Sequence, residues 1–380
     1  MTQTRRILLI QTQAENAGAQ EISRLVGAGL AARGYDVRNM FFFRKTSSFD
    51  EPPNTVYCAP RRPANPIAFL RFLWTLGRQI RQIRPDAVLT FQHYGNAIGG
   101  AVSRLASRAP IVANQVTARW TIPWLLRVAD VAMGSLGFFH CITVNTRDMQ
   151  REYAQYPAPY RKRISYVPHG FEQKSTKLSK TAARQAFDLP VDGILLGSVA
   201  RLHPVKRLDA TIRLLADRPH WQLALAGQGP EETALKQLAE QLGVSGRVHF
   251  IGEITPERIS AFLAGLDVFV FPTRAETFGL AAVEAANAGI VTVVNDLPVL
   301  REVLSYQGKP AALFADASDH AKLLAAVSLV IEDRALSETL RDNAKGLKAR
   351  YSVDTMVEEY IRILDAAAAD AGLGRQASPT

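Results

Sequence analysis

Two carboxylates, Glu276 and Glu284, stand in Phe271-Pro-Thr-Arg-Ala-Glu-Thr-Phe-Gly-Leu-Ala-Ala-Val-Glu284 with seven residues between them. The run Asp267-Val-Phe-Val-Phe-Pro272 that precedes them is apolar and stopped by proline, which predicts a short buried strand. Residues 280–288 are strong helix formers, closed by Gly289. The carboxylates therefore flank a strand-to-helix turn. The first backbone N–H groups of that helix, near Phe278, Gly279 and Leu280, lack partners within it and form an anion site. Glu284 lies about 7.5 Å further along the axis, at ~1.5 Å per residue, which suits a reach from a bound phosphate to an attached sugar. A carboxylate there accepts two hydroxyl hydrogen bonds, as a ribose diol requires. Glu276, ahead of the helix, is placed to hold the hydroxyls of a second sugar. The arrangement reads as a cradle for a nucleotide sugar.

Other groups stand at similar junctions. Arg201 and Lys206 follow a predicted strand over 194–199 and so emerge at a strand C-terminal end, where doubly wound sheets bind ligands. Two cations there can neutralise a diphosphate leaving group; the bland alternative is a pair of surface cations, of which a basic protein has many. Gly18 falls between the first strand and the first helix, where a glycine lets backbone N–H groups approach a phosphate. Gly227-Gln-Gly229 lacks the third glycine and the acidic ribose binder of a dinucleotide fingerprint, and reads as a tight turn. None of the seven histidines falls at metal-ligand spacing with another or with a cysteine, so no metal site is expected. His93, after a strand end in Phe91-Gln-His-Tyr-Gly95, is the best histidine candidate for an acceptor-side polar group.

The elements that position these residues follow from patterning. Apolar strand segments are expected at 7–10, 37–43, 87–91, 111–114, 141–144 and 164–167, then at 194–199, 222–226, 248–251, 268–271 and 290–294, alternating with helical segments. That alternation predicts an α/β chain of two Rossmann-like, doubly wound parallel-sheet domains facing across a cleft. With 380 residues, two cores are expected: residues 1–172 and 173–352, with a polar linker over 172–181 and a last helix over 353–368. The tail 370–380 is expected to fray. Two cysteines, Cys58 and Cys141, in buried-looking contexts and no secretory leader point to a reducing cytosol. The longest apolar stretch, 121–140, is broken by Arg127 and Asp130 and does not read as a membrane span.

The formal charge is +10. Arg61, Arg62, Arg71, Arg78, Arg81 and Arg84 cluster around Phe69, Leu70, Phe72, Leu73, Trp74 and Leu76. The ordinary reading is an amphipathic helix with its apolar side in the core and a solvated basic face. The sharper one, to which Trp120 and Trp124 add, is peripheral contact with anionic lipid. No nucleic-acid-binding module is evident.

Glu276 and Glu284 have the E-x7-E spacing of the retaining GT-B glycosyltransferases of the GT4-like group, and the chain resembles that family along nearly its whole length. Gly197-Ser-Val-Ala-Arg-Leu-His-Pro-Val-Lys-Arg207 is similar to the family's G-x-x-x-R-L-x-x-x-K segment. Leu223-Ala-Leu-Ala-Gly-Gln-Gly-Pro-Glu231 resembles its G-D-G-P-E turn with Gln228 for Asp, Val248-His-Phe-Ile-Gly252 its V-x-F-x-G strand end, and Val167-Pro-His-Gly-Phe-Glu172 its I-P-N-G-V-D junction with His169 for Asn. The resemblance implies a GT-B fold whose terminal helix crosses back to the first domain. It implies sugar transfer with retention from a nucleoside diphosphate sugar, UDP-linked by preference, to a glycan or lipid-linked hydroxyl, as in cell-surface polysaccharide or glycoconjugate synthesis. It implies no metal and no resident cofactor. Arg201, Lys206, Glu276 and His93 would serve catalysis, with Gly18, Phe278, Gly279, Leu280 and Glu284 binding the donor. Two departures matter: Ala17 replaces one glycine of the family's Gly-Gly, and Gln115 stands where a histidine is usual, so that role is lost, moved to His93, or reduced to hydrogen bonding. A nucleotide-sugar epimerase, which shares the architecture, and a non-catalytic nucleotide-sugar-binding subunit are the alternatives.

Overall fold

The structure is a computed structural model that describes residues 4–46, 49, 51–172 and 175–370. The tail 371–380 and positions 173–174 of the linker segment lie outside the described residues. The chain forms two compact units, one running up to Gly170 and resumed from Ser352, the other Phe171–Tyr351.

The first unit is built on a parallel sheet of β1 (Arg6–Ala14), β2 (Asp36–Arg44), β3 (Thr55–Tyr57), β4 (Ala87–Phe91), β5 (Ile111–Gln115), β6 (Cys141–Val144) and β7 (Ile164–Tyr166), in the order β3-β2-β1-β4-β5-β6-β7. Every residue of β4 and β5 is buried, as expected of strands covered by helices on both faces. On one face, helices Pro66–Ile83, Gly100–Ala106 and Trp124–Ser135 share a core with Leu8, Ile10, Val88, Ile111 and Ile142. Helix Pro66–Ile83 begins where Asn65 accepts a hydrogen bond from the Ala68 N–H and Pro66 occupies the first turn.

Helix Gly18–Ala32 packs with the last helix, Val353–Asp370. That last helix is tied into the first unit by the Tyr360 hydroxyl, which donates to Asn114 Oδ1 at 2.6 Å inside the core, and by ion pairs Arg33–Asp354 (3.0 Å) and Arg5–Asp365.

The second unit carries β8 (Ile194–Val199), β9 (Trp221–Ala226), β10 (Val248–Gly252), β11 (Val268–Phe271), β12 (Val291–Asn295), a two-strand antiparallel ribbon of β13 (Ser305–Tyr306) and β14 (Lys309–Pro310), and β15 (Leu313–Ala315). Its main sheet is parallel, in the order β10-β9-β8-β11-β12-β15. The two parallel sheets are the α/β architecture that the alternation predicted. The short strands β3, β13, β14 and β15, of two or three residues each, were not foreseen.

Both sheets reverse direction once. In the first the reversal falls between β1 and β4, in the second between β8 and β11. Connections leaving the C-terminal ends of such neighbours turn to opposite faces of the sheet, which leaves a crevice there for ligands.

Candidate functional site

At the β8/β11 reversal the two loops of the second unit are laced together. The turn after β8 carries Arg201, exposed, and Lys206, at the end of the single turn Pro204–Lys206. The loop after β11 carries Glu276, and the two meet: Lys206 Nζ is ion-paired with Glu276 Oε1, and also lies 5.3 Å from the centroid of the Phe271 ring. Both partners are largely shielded, at 20% and 12% side-chain exposure, so their attraction is little screened by water. Backbone contacts fix this register. The Arg274 N–H donates to the Val205 carbonyl at 2.7 Å, and the Thr273 hydroxyl is shared between the carbonyls of Val205 (3.3 Å) and Ala275 (3.0 Å).

The helix that follows, Leu280–Asn287, starts at Gly279, whose φ of 83° is left-handed. An added Cβ there would come within 2.7 Å of Leu300 Cδ2, so the position requires glycine on both conformational and steric grounds. Leu280 and Glu284 lie on this helix, Glu284 one turn in, with its side chain half-buried. Phe278 instead turns its ring into the core, edge-on to Tyr351 at 5.1 Å, so only its backbone can face a ligand.

Gly227-Gln-Gly229 is a tight turn pressed against the loop after β8. The N–H of Leu202 donates to the Gln228 carbonyl (3.0 Å) and that of Glu231 to the Leu202 carbonyl (3.1 Å). A Cβ on Gly227, whose φ is 142°, would stand 1.9 Å from the Ala200 carbonyl oxygen, and one on Gly229 would stand 2.2 Å from that of Leu202. The glycines thus serve approach of one backbone to another.

At the β1/β4 reversal the first unit presents Gly18 and His93. Gly18 is exposed as the first residue of its helix, and a Cβ there would meet no protein atom within 4 Å, so the space beside it is open. His93 follows Gln92, a non-glycine residue at φ 65°, in a short turn leading into a π-helical stretch, Gly95–Gly99. Strained backbone and π-turns recur at functional sites. His93 Nδ1 lies 3.4 Å from the Thr117 hydroxyl, its ring 4.5 Å from that of Tyr94. Burial pushes its pKa down to about 4, so it is neutral at physiological pH.

Gln115 is saturated. Its amide N–H donates to Asp130 Oδ1 (2.8 Å) and the Tyr160 hydroxyl (3.1 Å), its oxygen accepts from Asn96 (3.4 Å), and the residue is 2% exposed. Tyr160 also donates to Asp130 Oδ2 at 2.8 Å, and burial raises the Asp130 carboxyl to about 6. The Gln115 amide is thus engaged inside the first unit, with Asn96, Asp130 and Tyr160. His169 is likewise interior, its pKa lowered to about 3 by burial, with Nδ1 3.4 Å from the Asn145 amide.

Thr273 and Asn295 were missed by sequence reasoning. Asn295, at the end of β12, donates to the Thr273 carbonyl (2.9 Å) and accepts from the Ala317 N–H (2.9 Å), bracing the loop that carries Glu276. A polar residue closing an apolar strand was the available signal.

Comparison with known proteins adds to this geometry. Residues 179–347 match the family model described as glycosyl transferases group 1, and residues 17–170 match the glycosyl transferase 4-like domain. The chain is 30% identical over 235 residues to the D-inositol 3-phosphate glycosyltransferase of Mycolicibacterium smegmatis, covering 59% of this chain and 53% of that protein. Its counterpart in Mycobacterium bovis is 29% identical over 237 residues, covering 59% and 48%. The chain thus spans about half the length of the curated relatives it matches. Among solved structures, HepE of Anabaena in complex with UDP and glucose superposes with a TM-score of 0.81 at 18% identity, over 95% of this chain and 100% of that one. Sucrose-phosphate synthase of Thermosynechococcus elongatus gives 0.80 at 19%, over 96% and 100%. WaaG, a glycosyltransferase involved in lipopolysaccharide biosynthesis, gives 0.72 at 17%, over 94% and 99%.

Proposed function

The chain belongs to the group 1, GT4-like glycosyltransferases of GT-B fold, and on that premise we propose that it is a retaining enzyme moving a hexose from a UDP-sugar to a hydroxyl of a glycan or lipid-linked glycan. The observation that carries the reading is the Lys206–Glu276 ion pair at the β8/β11 reversal, one loop ahead of the helix bearing Glu284. A diphosphate arriving at the N-terminus of that helix competes with Glu276 for Lys206. One exchange then does two things: the ammonium moves onto the phosphate, and Glu276 is left to accept hydroxyl hydrogen bonds from the transferred sugar. Glu284 takes the ribose diol. Arg201 and the N–H groups at Gly279–Leu280 complete the charge stabilisation of the departing UDP, the largest contribution expected for such a step. Gly18 has open space beside it, which suits close approach of its backbone N–H to a phosphate.

No divalent metal is needed in this scheme, since the cations and the helix terminus supply the positive field. The acceptor hydroxyl attacks from the face that UDP leaves, and its proton goes to a phosphate oxygen. His93, neutral and half-buried, positions the acceptor or the sugar. The reading places the enzyme in the cytoplasm, in polysaccharide or glycoconjugate synthesis. The test is turnover of a panel of UDP- and GDP-sugars, with the anomer of the product read by NMR. Retention is expected; an inverted product refutes the mechanism. Tight UDP binding with no transfer from any donor would make the protein a binding subunit.

A further inference from the structure

Ten arginines and one acidic residue, Asp86, lie between Glu51 and Asp130. That stretch therefore contains most of the net charge of +10. Its three helices, Pro66–Ile83, Gly100–Ala106 and Trp124–Ser135, cover the same face of the first sheet, so their outward sides look the same way. Helix Pro66–Ile83 buries only Phe72, Leu76, Gly77 and Ile80. Its opposite side sets Ile67 (75% exposed), Leu70 (65%) and Trp74 (62%) among exposed Arg71, Arg78 and Arg81. Arg78 stands over the Trp74 indole at 5.4 Å. Helix Trp124–Ser135 repeats the pattern with Trp124 (64%), Leu125 (61%) and Val128 (58%), and Leu105 (81%) lies on the helix between. A solvated basic face has no need of bare indole and leucine; water-facing positions of a soluble domain do not usually concentrate them.

We propose that this side of the first unit is a docking surface for an anionic lipid bilayer. Tryptophan and leucine enter the headgroup boundary, and the arginines between them meet the lipid phosphates. The near absence of acidic groups decides for this occupant, because an ordinary protein partner would be read by charges of both signs. The inference deepens the acceptor half of the reading above and rests on it only for the acceptor being lipid-borne. A protein held at the leaflet surface meets a lipid-linked acceptor in two dimensions.

The full chain would be sedimented with vesicles of phosphatidylcholine alone and of phosphatidylcholine with phosphatidylglycerol. Binding to the anionic vesicles, weakened by salt and weak on the neutral ones, is expected. R78E/R81E should lower the partition coefficient by about fivefold or more per site, and W74S/W124S should reduce it at unchanged charge. Both variants should keep the wild-type melting temperature and UDP-induced shift, which separates this surface from the donor site. Equal binding to neutral vesicles, none to anionic ones, or unchanged partition in both variants overturns the proposal. So does tight binding of single-stranded RNA in place of vesicles.

Discussion

At the scale of single residues, the site turns on which anion Lys206 holds. In the free protein it is Glu276, and the proposed donor displaces it. If Lys206 takes the donor phosphate as proposed, Lys206→Ala removes one charge-assisted contact and should weaken UDP by about ten- to a hundredfold. Glu276→Gln frees the lysine, so UDP should bind several-fold more tightly while sugar transfer falls. Calorimetry and turnover on the two variants separate these effects; parallel loss of UDP affinity in both would refute the exchange. Lys206 and Glu276 could be named from sequence because each follows an apolar strand and opens a turn. Their contact could not, since it spans seventy positions and depends on which strands neighbour each other. Thr273 and Asn295 stayed hidden for the same reason: they act on backbone carbonyls and N–H groups far along the chain.

At the scale of elements, the turn Gly227–Gly229 shows how one loop seats another. Gly227→Ala sets a Cβ against a carbonyl oxygen that belongs to backbone, with a left-handed φ besides. The expected cost is about 3 kcal/mol or more in chemical denaturation, with UDP affinity falling as the β8 loop shifts. A loss under about 1 kcal/mol would mean the turn relaxes freely. The strands β4, β6, β8 and β11 were legible to the residue, since a dense apolar run between turn residues admits little else. Helix Pro66–Ile83 was legible as a helix but not in its orientation. It has two apolar stripes, one at Phe72, Leu76 and Ile80 and one at Ile67, Leu70 and Trp74, and periodicity alone does not say which meets the sheet.

At the scale of the whole molecule, stability should depend on pH through its buried histidines. Burial holds His93 to about 4 and His169 to about 3, and lowers His140 and His249 as well. The unfolded chain takes up these protons near pH 6.5, the folded one only well below, so stability falls as pH drops from about 6.5 toward 4. Asp130, raised to about 6, works the other way: the folded state holds its extra proton below that pH, and this contribution is lost as pH rises through 6. The histidines outnumber it, so the melting temperature should decline on acidification, more shallowly in His169→Asn. A flat profile would disprove their burial in the neutral form. The last helix has a different consequence. Because Val353–Asp370 closes the first unit while Phe171–Tyr351 forms the second, the ribosome finishes the second unit before the first has received its final piece. Until then Asn114 waits in the nascent core for the hydroxyl of Tyr360, and the half made first is the half completed last.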